Sequence, residues 1–501
     1  MVIRPDQYPL FLLLLLSTAC SLRPAVYHDQ KGIDNAATNL TPSCIQLLVH
    51  TEKLVSVQGI RDVQDVGIKA YPFFRVNRFL ASFKNHLDTE DKRNQWLTLL
   101  RELDQQGRAA EIGNLLIVDD SVWPPGVRTR DQWLESLAAC GEQTIQTVRE
   151  NPDRMRDLVT RTRVPDSYSE IQRFLGLYPL VKRLVTAGVS RLHAETLENF
   201  RLSSVNGANK PNILYRPPED EIPPDPESIA LILARSRNNP LAIPLLEKGP
   251  ELDRLFRYYA PVWRIEQESS ADRMGALFWQ SGQAAVDTDR PLTYAWLSRS
   301  RFEDRIVPQL NYILWFPSRP ATGPMDILSG RLDGITWRVT LDLDGQVLMY
   351  DAIHNCGCYH MFFPGTGVQE RKIPEREDEE AILVPARMSD NDPGRIIITL
   401  EARTHFIIGL DKSESLATGT LYAFTQYDDL RSLPLPGTGH RSVFSPQGII
   451  PGTGRKEKWL LWPMGVSDPG AMKQWGHHTI AFVGRRHFDD PFLLERYFSR
   501  K

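Results

Sequence analysis

Residues 337–350 read WRVTLDLDGQVLMY and contain the pattern of a β-hairpin. Apolar and polar side chains alternate on both sides of Asp344-Gly345, and Asp-Gly is a strong signal for a tight hairpin turn. The runs at 395–400, 405–408 and 479–483 have the same strand character, and eight of the 11 Trp residues lie beyond residue 260. The sequence therefore predicts a β-rich, antiparallel, Trp-rich C-terminal domain.

The N-terminal part of the chain has a helical pattern instead. Thr41-Pro42 supplies an N-cap residue followed by proline at the first helical position. Trp96, Leu100 and Leu103 recur at helical spacing, which predicts a buried helix face. The fold class expected is α+β. The predicted division is a signal peptide at 1–19, a tether at 20–40, a helical domain at 41–204, a Pro-rich linker at 205–227 and an α-to-β domain at 228–501.

Composition and charge exclude some classes of protein. The chain has 501 residues, of which 42% are hydrophobic and 24% charged, so a wholly disordered chain is not expected. The formal net charge of -3 gives no general attraction to nucleic acid, and no nucleic-acid partner is expected.

The extreme N-terminus predicts export. Residues 10–16 read LFLLLLL and are followed by Ser17-Thr18-Ala19-Cys20. A helix of this length rises about 10 Å, too little to cross a hydrocarbon core of roughly 30 Å, so the run indicates a secretory signal. The stretch resembles the lipobox of bacterial lipoproteins. That resemblance implies cleavage before Cys20, its acylation by chains such as palmitate, and, because Ser21 follows, the outer membrane. The alternative is cleavage near Ala19, which gives a soluble periplasmic or secreted protein.

Four cysteines remain if Cys20 is acylated. Disulfides persist in an oxidising compartment, and four cysteines allow three pairings. We expect a bridge between Cys44 and Cys140 within the helical domain, the alternative being two small buried side chains that never meet. Cys356 and Cys358 then form a separate unit.

The most unusual segment carries two thiols and two imidazoles. His354, Cys356, Cys358 and His360 occupy alternate positions, and Gly357 lies midway between them. A turn centred on Gly357 would place His354 opposite His360 and bring the thiols together. Three interpretations stay open: a redox-active disulfide, a zinc or copper site with all four residues as ligands, and a purely structural cluster. His405 or His477 could assist from another strand.

Proline and glycine mark three further turns. Pro-Gly-Thr-Gly occurs at 364–367, 436–439 and 451–454, and each copy predicts a type II turn between strands. None of these loops has the Gly-Lys-Ser/Thr ending of a phosphate-binding loop.

The sequence contains none of the common catalytic signatures that we sought, among them His-Glu-x-x-His, Gly-x-Ser-x-Gly and Ser-x-x-Lys. The leading hypothesis is a binding or structural envelope lipoprotein at the periplasmic face of the outer membrane. Its partner would be the membrane, through the lipid anchor, together with a protein or small-molecule ligand that the sequence does not identify. The alternative is a metal- or thiol-dependent enzyme that uses the cluster at 354–360. Whether the chain is an enzyme stays open.

Overall fold

The computed structural model describes residues 40–206, 210–218, 225–372, 379–389, 394–413 and 418–501. Helices are concentrated in the N-terminal part of the chain and antiparallel sheets in the C-terminal half, so the predicted α+β class is confirmed. The predicted signal peptide and Cys20 lie outside the described residues. Within those residues, no helix is both long enough and apolar enough to cross a bilayer.

The helices begin at side-chain caps. Thr41 caps the first of them through its hydroxyl, which accepts a hydrogen bond from the Cys44 amide, and Thr89 and Thr129 cap two others in the same way. The predicted start at Thr41-Pro42 is confirmed. The helices are α1 Pro42–Gln58, α2 Arg78–Ala81, α3 Glu90–Gly113, α4 Arg130–Arg149, α5 Pro152–Arg161, α6 Glu170–Leu175, α7 Tyr178–Asn206, α8 Pro226–Ser236, α9 Pro250–Tyr259, α10 Lys458–Leu461 and α11 Leu493–Tyr497.

The strands are mostly in the C-terminal half. They are β1 Val66–Ile68, β2 Tyr71–Val76, β3 Asn212–Arg216, β4 Val262–Glu266, β5 Ala276–Gln280, β6 Gln283–Asp287, β7 Leu292–Phe302, β8 Arg305–Arg319, β9 Gly330–Leu341, β10 Val347–His354, β11 Met361–Pro364, β12 Val368–Glu370, β13 Arg395–Leu400, β14 Ile407–Ser413, β15 Thr420–Leu421, β16 Ala423–Gln426, β17 Leu433–Pro434, β18 His440–Arg441 and β19 Phe498–Arg500.

A six-stranded sheet with the order β11-β10-β9-β8-β7-β16 is the centre of the C-terminal half. Its neighbours pair antiparallel, except that β16 runs parallel to β7. The predicted hairpin is β9–β10, and its turn is closed by a hydrogen bond from the Gly345 amide to the Asp342 carbonyl, 3.1 Å. Gly345 has φ 89, a conformation that glycine adopts without strain.

A five-stranded sheet with the order β14-β13-β4-β3-β15 packs on the first face of the six-stranded sheet. Trp263 and Ile398 from the smaller sheet join Leu314 and Trp337 from the larger one in a shared buried core. Strand Asn212–Arg216 belongs to this sheet, although it falls within the segment where the sequence predicts a Pro-rich linker. Pairing with β4 draws this part of the segment into the core.

The chain after residue 426 covers the second face of the six-stranded sheet. Tyr427, Met472, Trp475 and Phe488 share a core with the side chains of that face. The strand predicted at 479–483 is not formed, because its amides bond to loop groups: Ile480 donates to the Arg486 carbonyl and Phe482 to the Glu380 carboxylate.

Two of the three Pro-Gly-Thr-Gly loops have the positive φ that a type II turn needs. Gly437 has φ 100 and Gly452 has φ 78. Gly365 does not, and its amide instead donates to the Leu348 carbonyl, 3.0 Å. The turn predicted at 364–367 is therefore wrong, because β11 continues its pairing with β10 into this loop.

The helical part contains the expected disulfide. Cys44 on α1 and Cys140 on α4 are bonded, with their Cα atoms 5.6 Å apart. A buried charge network then joins the helices to the C-terminal half. Arg75 forms ion pairs with Glu111 at 2.9 Å and Asp104 at 3.1 Å. Arg431, from the C-terminal half, forms an ion pair with Asp62 at 2.7 Å. The network satisfies charges that burial would otherwise penalise heavily.

Candidate functional site

The loop between β10 and β11 carries the segment with two thiols and two imidazoles. Ala352 pairs with Met361 and Asp351 with Phe362, so the loop is centred between residues 356 and 357 rather than on Gly357. A one-residue change of register moves side chains to the opposite face of a sheet. His354 therefore lies towards the first face, beside Asp333, and His360 towards the second, beside Asp351.

This register contradicts the predicted four-residue metal site. His354 and His360 do not meet, and the part of the chain that the structure describes contains no group of three or more His, Cys, Asp or Glu side chains arranged to hold a metal ion. The expectation of a zinc or copper ion shared by His354, Cys356, Cys358 and His360 depended on a turn centred on Gly357. In the structure, the centre of this loop instead lies half a residue before Gly357.

The two thiols do meet. Cys356 and Cys358 are free, so the disulfide interpretation is not realised in this structure, but each thiol lies close enough to shift the pKa of the other. The neighbouring Cys358 thiol lowers the pKa of Cys356 despite burial, with Arg455 contributing in the same direction. The Cys356 side chain, together with burial, raises the pKa of Cys358 well above its ordinary value. Cys356 is therefore the more acidic of the two thiols.

Backbone geometry holds the thiols together. Gly357 has φ 94, and a Cβ atom built there would lie 2.4 Å from the carbonyl oxygen of Thr479. Tyr359 has φ 60, a conformation that an aromatic residue rarely adopts. Such strained positions concentrate at functional sites. The loop is therefore shaped by the segment packed against it as well as by its own sequence.

Charged groups from distant parts of the chain surround the thiols. Lys473 is buried and donates from Nζ to the Cys356 carbonyl, 2.7 Å. Arg455 is buried nearby and pairs with Asp333 at 2.9 Å. Burial raises the pKa of Glu457, although Arg455 and Lys473 oppose the shift. Two cations and one acid with a raised pKa therefore lie around the sulfur pair.

A cavity of about 190 Å³ opens beside Cys358. Helix α7 forms one wall of it, and the 358–361 loop forms another. Its polar lining residues include His193, Thr196, Cys358, Tyr359, His360, Glu380, Glu457 and Arg486. Cys358 is half-buried and lines this cavity, whereas Cys356 is 2% exposed and lies behind it. Cys358 is thus the sulfur that a ligand in the cavity can reach.

A second, larger depression of about 480 Å³ lies on α1, far along the chain from this site. Pro42, Ile45, Val49 and Lys53 are among its lining residues, and the lining that the structure describes includes no thiol or carboxylate. Of these two cavities, the smaller one therefore carries the thiol and the carboxylates.

His360 forms a dyad with a buried carboxylate. Its Nε2 lies 3.0 Å from Oδ2 of Asp351, and Asp351 also accepts two hydrogen bonds from Arg338, at 2.8 and 2.5 Å. Burial opposes ionisation of Asp351, but Arg338 and His360 outweigh it and lower the pKa. Burial lowers the pKa of His360 to about 4, so the imidazole is neutral at pH 7. Because Nε2–H donates to the ionised carboxylate, Nδ1 is left as an acceptor.

That Nδ1 atom is buried and has no hydrogen-bond partner among the described residues. Buried polar atoms are usually paired, so an unpaired acceptor in a cavity-lining residue indicates a place for a donor from a ligand or water. The Asp351–His360 dyad therefore adds an oriented acceptor to the residues that line the cavity.

A second chain of charged groups lies on the first face, behind the thiols. Asp333 accepts from Nδ1 of His405 at 2.9 Å and lies 3.6 Å from His354. Burial opposes a charge on His405, yet Asp272 and Asp333 raise its pKa. Burial instead lowers the pKa of His354, although Asp333 opposes the shift. His405 also stacks on Phe316, with ring centroids 3.9 Å apart. This chain fixes Arg455 beside the sulfur pair.

Part of this site could be identified from the sequence alone, and the rest could not. The sequence singles out both thiols and His360, and it suggests His405 as an assisting residue, which lies instead in the group behind them. His477 does not join the site, because its Nε2 hydrogen-bonds to the Val63 carbonyl, 2.8 Å. Three charged residues of the site, Arg455, Glu457 and Lys473, could not be identified from the sequence. They lie about 100 positions along the chain from the thiols, and no local motif connects them to the site.

The comparisons with known proteins identified no relative of this chain. No protein-family model matches the chain, and neither the curated proteins nor the solved structures include a match to it. The function is therefore inferred from the chemistry of the site itself.

Proposed function

We propose that this protein is a thiol-dependent redox enzyme in which Cys356 and Cys358 exchange electrons with a disulfide substrate in the adjacent cavity. The observation that supports it is a pair of neighbouring free thiols with only one sulfur, Cys358, in the cavity wall. A reactive thiol needs partial access and nearby positive charge, and Arg455 and Lys473 supply that charge.

The reaction has two steps. Cys356 first gives its proton to a nearby base, and Cys358 then attacks one sulfur of the substrate R–S–S–R′ while its own proton passes to the Cys356 thiolate, so the S–S bond breaks and R′S⁻ leaves. Cys356 then loses that proton and attacks the sulfur of Cys358, which releases RS⁻ and closes a Cys356–Cys358 disulfide. Two electrons pass from the dithiol to the substrate, and the protons end on the released thiolates or on a nearby base.

Two side chains that can exchange or accept protons assist these two reaction steps. Glu457 has a raised pKa and lies close enough to influence both sulfurs, so it can take the proton from Cys356 before the second step. The neutral imidazole of His360 accepts a hydrogen bond at Nδ1 and orients a donor on the substrate. Its low pKa makes it a positioning group rather than a strong base.

A redox titration tests the proposal. The full chain is equilibrated in glutathione buffers from about −300 to about −120 mV, free thiols are trapped with a maleimide, and the protein is analysed by mass. We expect Cys356 and Cys358 to be lost together in one two-electron transition within this window, while Cys44–Cys140 stays oxidised. A pair that never oxidises while the chain is folded would overturn the proposal.

Single substitutions assign the two roles. Cys356→Ser should trap a lasting mixed disulfide between glutathione and Cys358, because the resolving sulfur is gone. Cys358→Ser should leave Cys356 unreacted, because that side chain lies behind the cavity wall. The matched control replaces both Cys44 and Cys140 with Ser and should keep the same transition. Equal glutathionylation of the two single variants would contradict the assigned roles.

We also propose that the protein is exported and anchored through Cys20, with its folded part facing the periplasm. The Cys44–Cys140 disulfide supports this proposal, because such bonds persist in oxidising compartments. A binding or structural role at that face is the second candidate. Labelled palmitate should enter the wild type and should not enter Cys20→Ala. Mature protein that still begins at Met1 would contradict export.

A further inference from the structure

Helix α6 and the first turns of α7 expose a row of large apolar side chains. Phe174 is 82% exposed and Leu184 is 77% exposed. We name the set formed by these and their neighbours the apolar ridge; it consists of Ile171, Phe174, Leu175, Leu177, Leu180 and Leu184 on this segment, with Trp459 and Leu460 on α10. Single exposed leucines are ordinary, but a contiguous set of this kind marks an interaction surface.

The ridge is not the only apolar face of α7. Tyr178, Val181 and Val185 pack against the buried cluster that contains Tyr168 and Met464. A surface helix normally places polar residues opposite its buried stripe. Here Leu180 and Leu184 occupy the opposite side and remain exposed. The start of α7 is therefore apolar on both sides, with one side left uncovered.

The two parts of the ridge are neighbours in space. Residues 462–464 follow α10 directly, and a Cβ atom built on Gly176 would lie 2.4 Å from Cβ of Pro463. Gly176 joins α6 to α7, so Trp459 and Leu460 lie on an element packed beside that junction. Trp459 is 63% exposed, with Nζ of Lys458 5.0 Å from its ring centroid.

The charged residues that adjoin the ridge in the sequence are mostly basic. Residues 171–194 contain no Asp or Glu, while Lys182 and Arg183 lie between Leu180 and Leu184 in the sequence. Lys456 precedes α10 and Lys458 is its first residue, and the acid between them, Glu457, is buried. The nearest acid before the segment, Glu170, is paired with Arg485. Leu, Phe and Trp with flanking Lys and Arg form the composition of a helix that lies in a membrane interface.

We propose that the apolar ridge docks onto the surface of a lipid bilayer that carries anionic headgroups. The leucines, Phe174 and Trp459 enter the boundary between headgroups and acyl chains, and the lysines and arginines contact the phosphates. Each basic residue near such a surface contributes about 1 kcal/mol of attraction. This surface is separate from the acyl anchor proposed at Cys20 and independent of the thiol chemistry.

Hydrogen exchange with vesicles tests the docking locally, which separates it from any attachment through the N-terminus. The full chain is mixed with phosphatidylcholine vesicles that contain or lack phosphatidylglycerol, and amide protection is measured by mass spectrometry. We expect protection over residues 171–191 and 456–461 only with the anionic vesicles. Leu180→Ser combined with Leu184→Ser should weaken the vesicle-dependent protection about tenfold in lipid concentration, because two apolar contacts with the bilayer are lost.

The matched control uses exposed apolar residues outside the ridge. Val57 and Val118 are 76% and 71% exposed, and replacing both with Ser should leave the protection unchanged. Absence of protection on anionic vesicles would overturn the proposal. Protection of the same segments that appears without vesicles and rises with protein concentration would also overturn it, because the ridge would then be an interface between two copies of the chain.

Discussion

Replacing Gly357 with alanine should damage the thiol site for two separable reasons. Gly357 has φ 94, where a residue with a Cβ atom is strained by about 1–2 kcal/mol. The added Cβ would also lie 2.4 Å from the Thr479 carbonyl oxygen, about 1 Å closer than ordinary contact. Overpacking of this kind costs about 1–3 kcal/mol. We expect the free energy of unfolding to fall by about 2–4 kcal/mol, after a small gain from stiffening the unfolded chain.

Two other glycines separate these costs. Gly437 has φ 100 with no atom within 4 Å of a built Cβ, so Gly437→Ala should carry the backbone strain alone and lower the free energy of unfolding by about 1 kcal/mol. Gly367 has neither a positive φ nor a close neighbour. Gly367→Ala should therefore be neutral or stabilising, by about 0.5 kcal/mol.

Urea unfolding followed by tryptophan fluorescence measures the three variants, and the shifts in midpoint are compared at a common slope. Hydrogen exchange over residues 354–360 reports the local opening free energy in the same samples. Gly357→Ala should also expose Cys356 to maleimide, because the loop must move away from Thr479. Equal midpoints for Gly357→Ala and Gly437→Ala, with no change in exchange at 354–360, would refute the close approach on which the reasoning rests.

Three further predictions concern stability. Arg75→Met leaves the buried carboxylates around Arg75 without this partner and should lower the free energy of unfolding by about 3–5 kcal/mol, measured from the urea midpoint. Replacing Cys44 and Cys140 together with Ala opens a loop with a sequence separation of 96 and should cost about 4 kcal/mol in the same assay; an unchanged midpoint would count against this. The third prediction concerns pH. In the folded chain His360 stays neutral down to its pKa of about 4, whereas in the unfolded chain it takes up a proton below pH 6.5. The free energy of unfolding therefore falls as the pH drops from 6.5 to 4. His360→Gln should remove up to about 3 kcal/mol of that loss, measured by urea unfolding at pH 7 and pH 4, and an unchanged pH dependence in this variant would contradict the prediction.

Features that depend on neighbouring residues could be predicted from the sequence. The hairpin turn at Asp344-Gly345 and the start of α1 at Thr41-Pro42 follow from local backbone preferences and capping, and both are confirmed. The pairing of Cys44 with Cys140 follows from their places on two amphipathic helices, and it is also confirmed. The segment at 479–483 has the composition of a strand, but its backbone amides hydrogen-bond to loop residues instead of to a neighbouring strand. Composition alone does not supply the pairing partner that a strand requires.

The sequence by itself determined the α+β class and the presence of two thiols and His360 in one short segment. Only the tertiary structure decided which of these side chains meet. The loop between β10 and β11 is centred between two residues, so His354 and His360 lie on opposite faces, and a shift of one residue would have reversed this. Arg455 and Lys473 reach the thiols from the C-terminal segment. Side-chain direction alternates with each residue of a strand, and distant segments meet through packing, so neither the register nor these contacts are encoded in a local pattern.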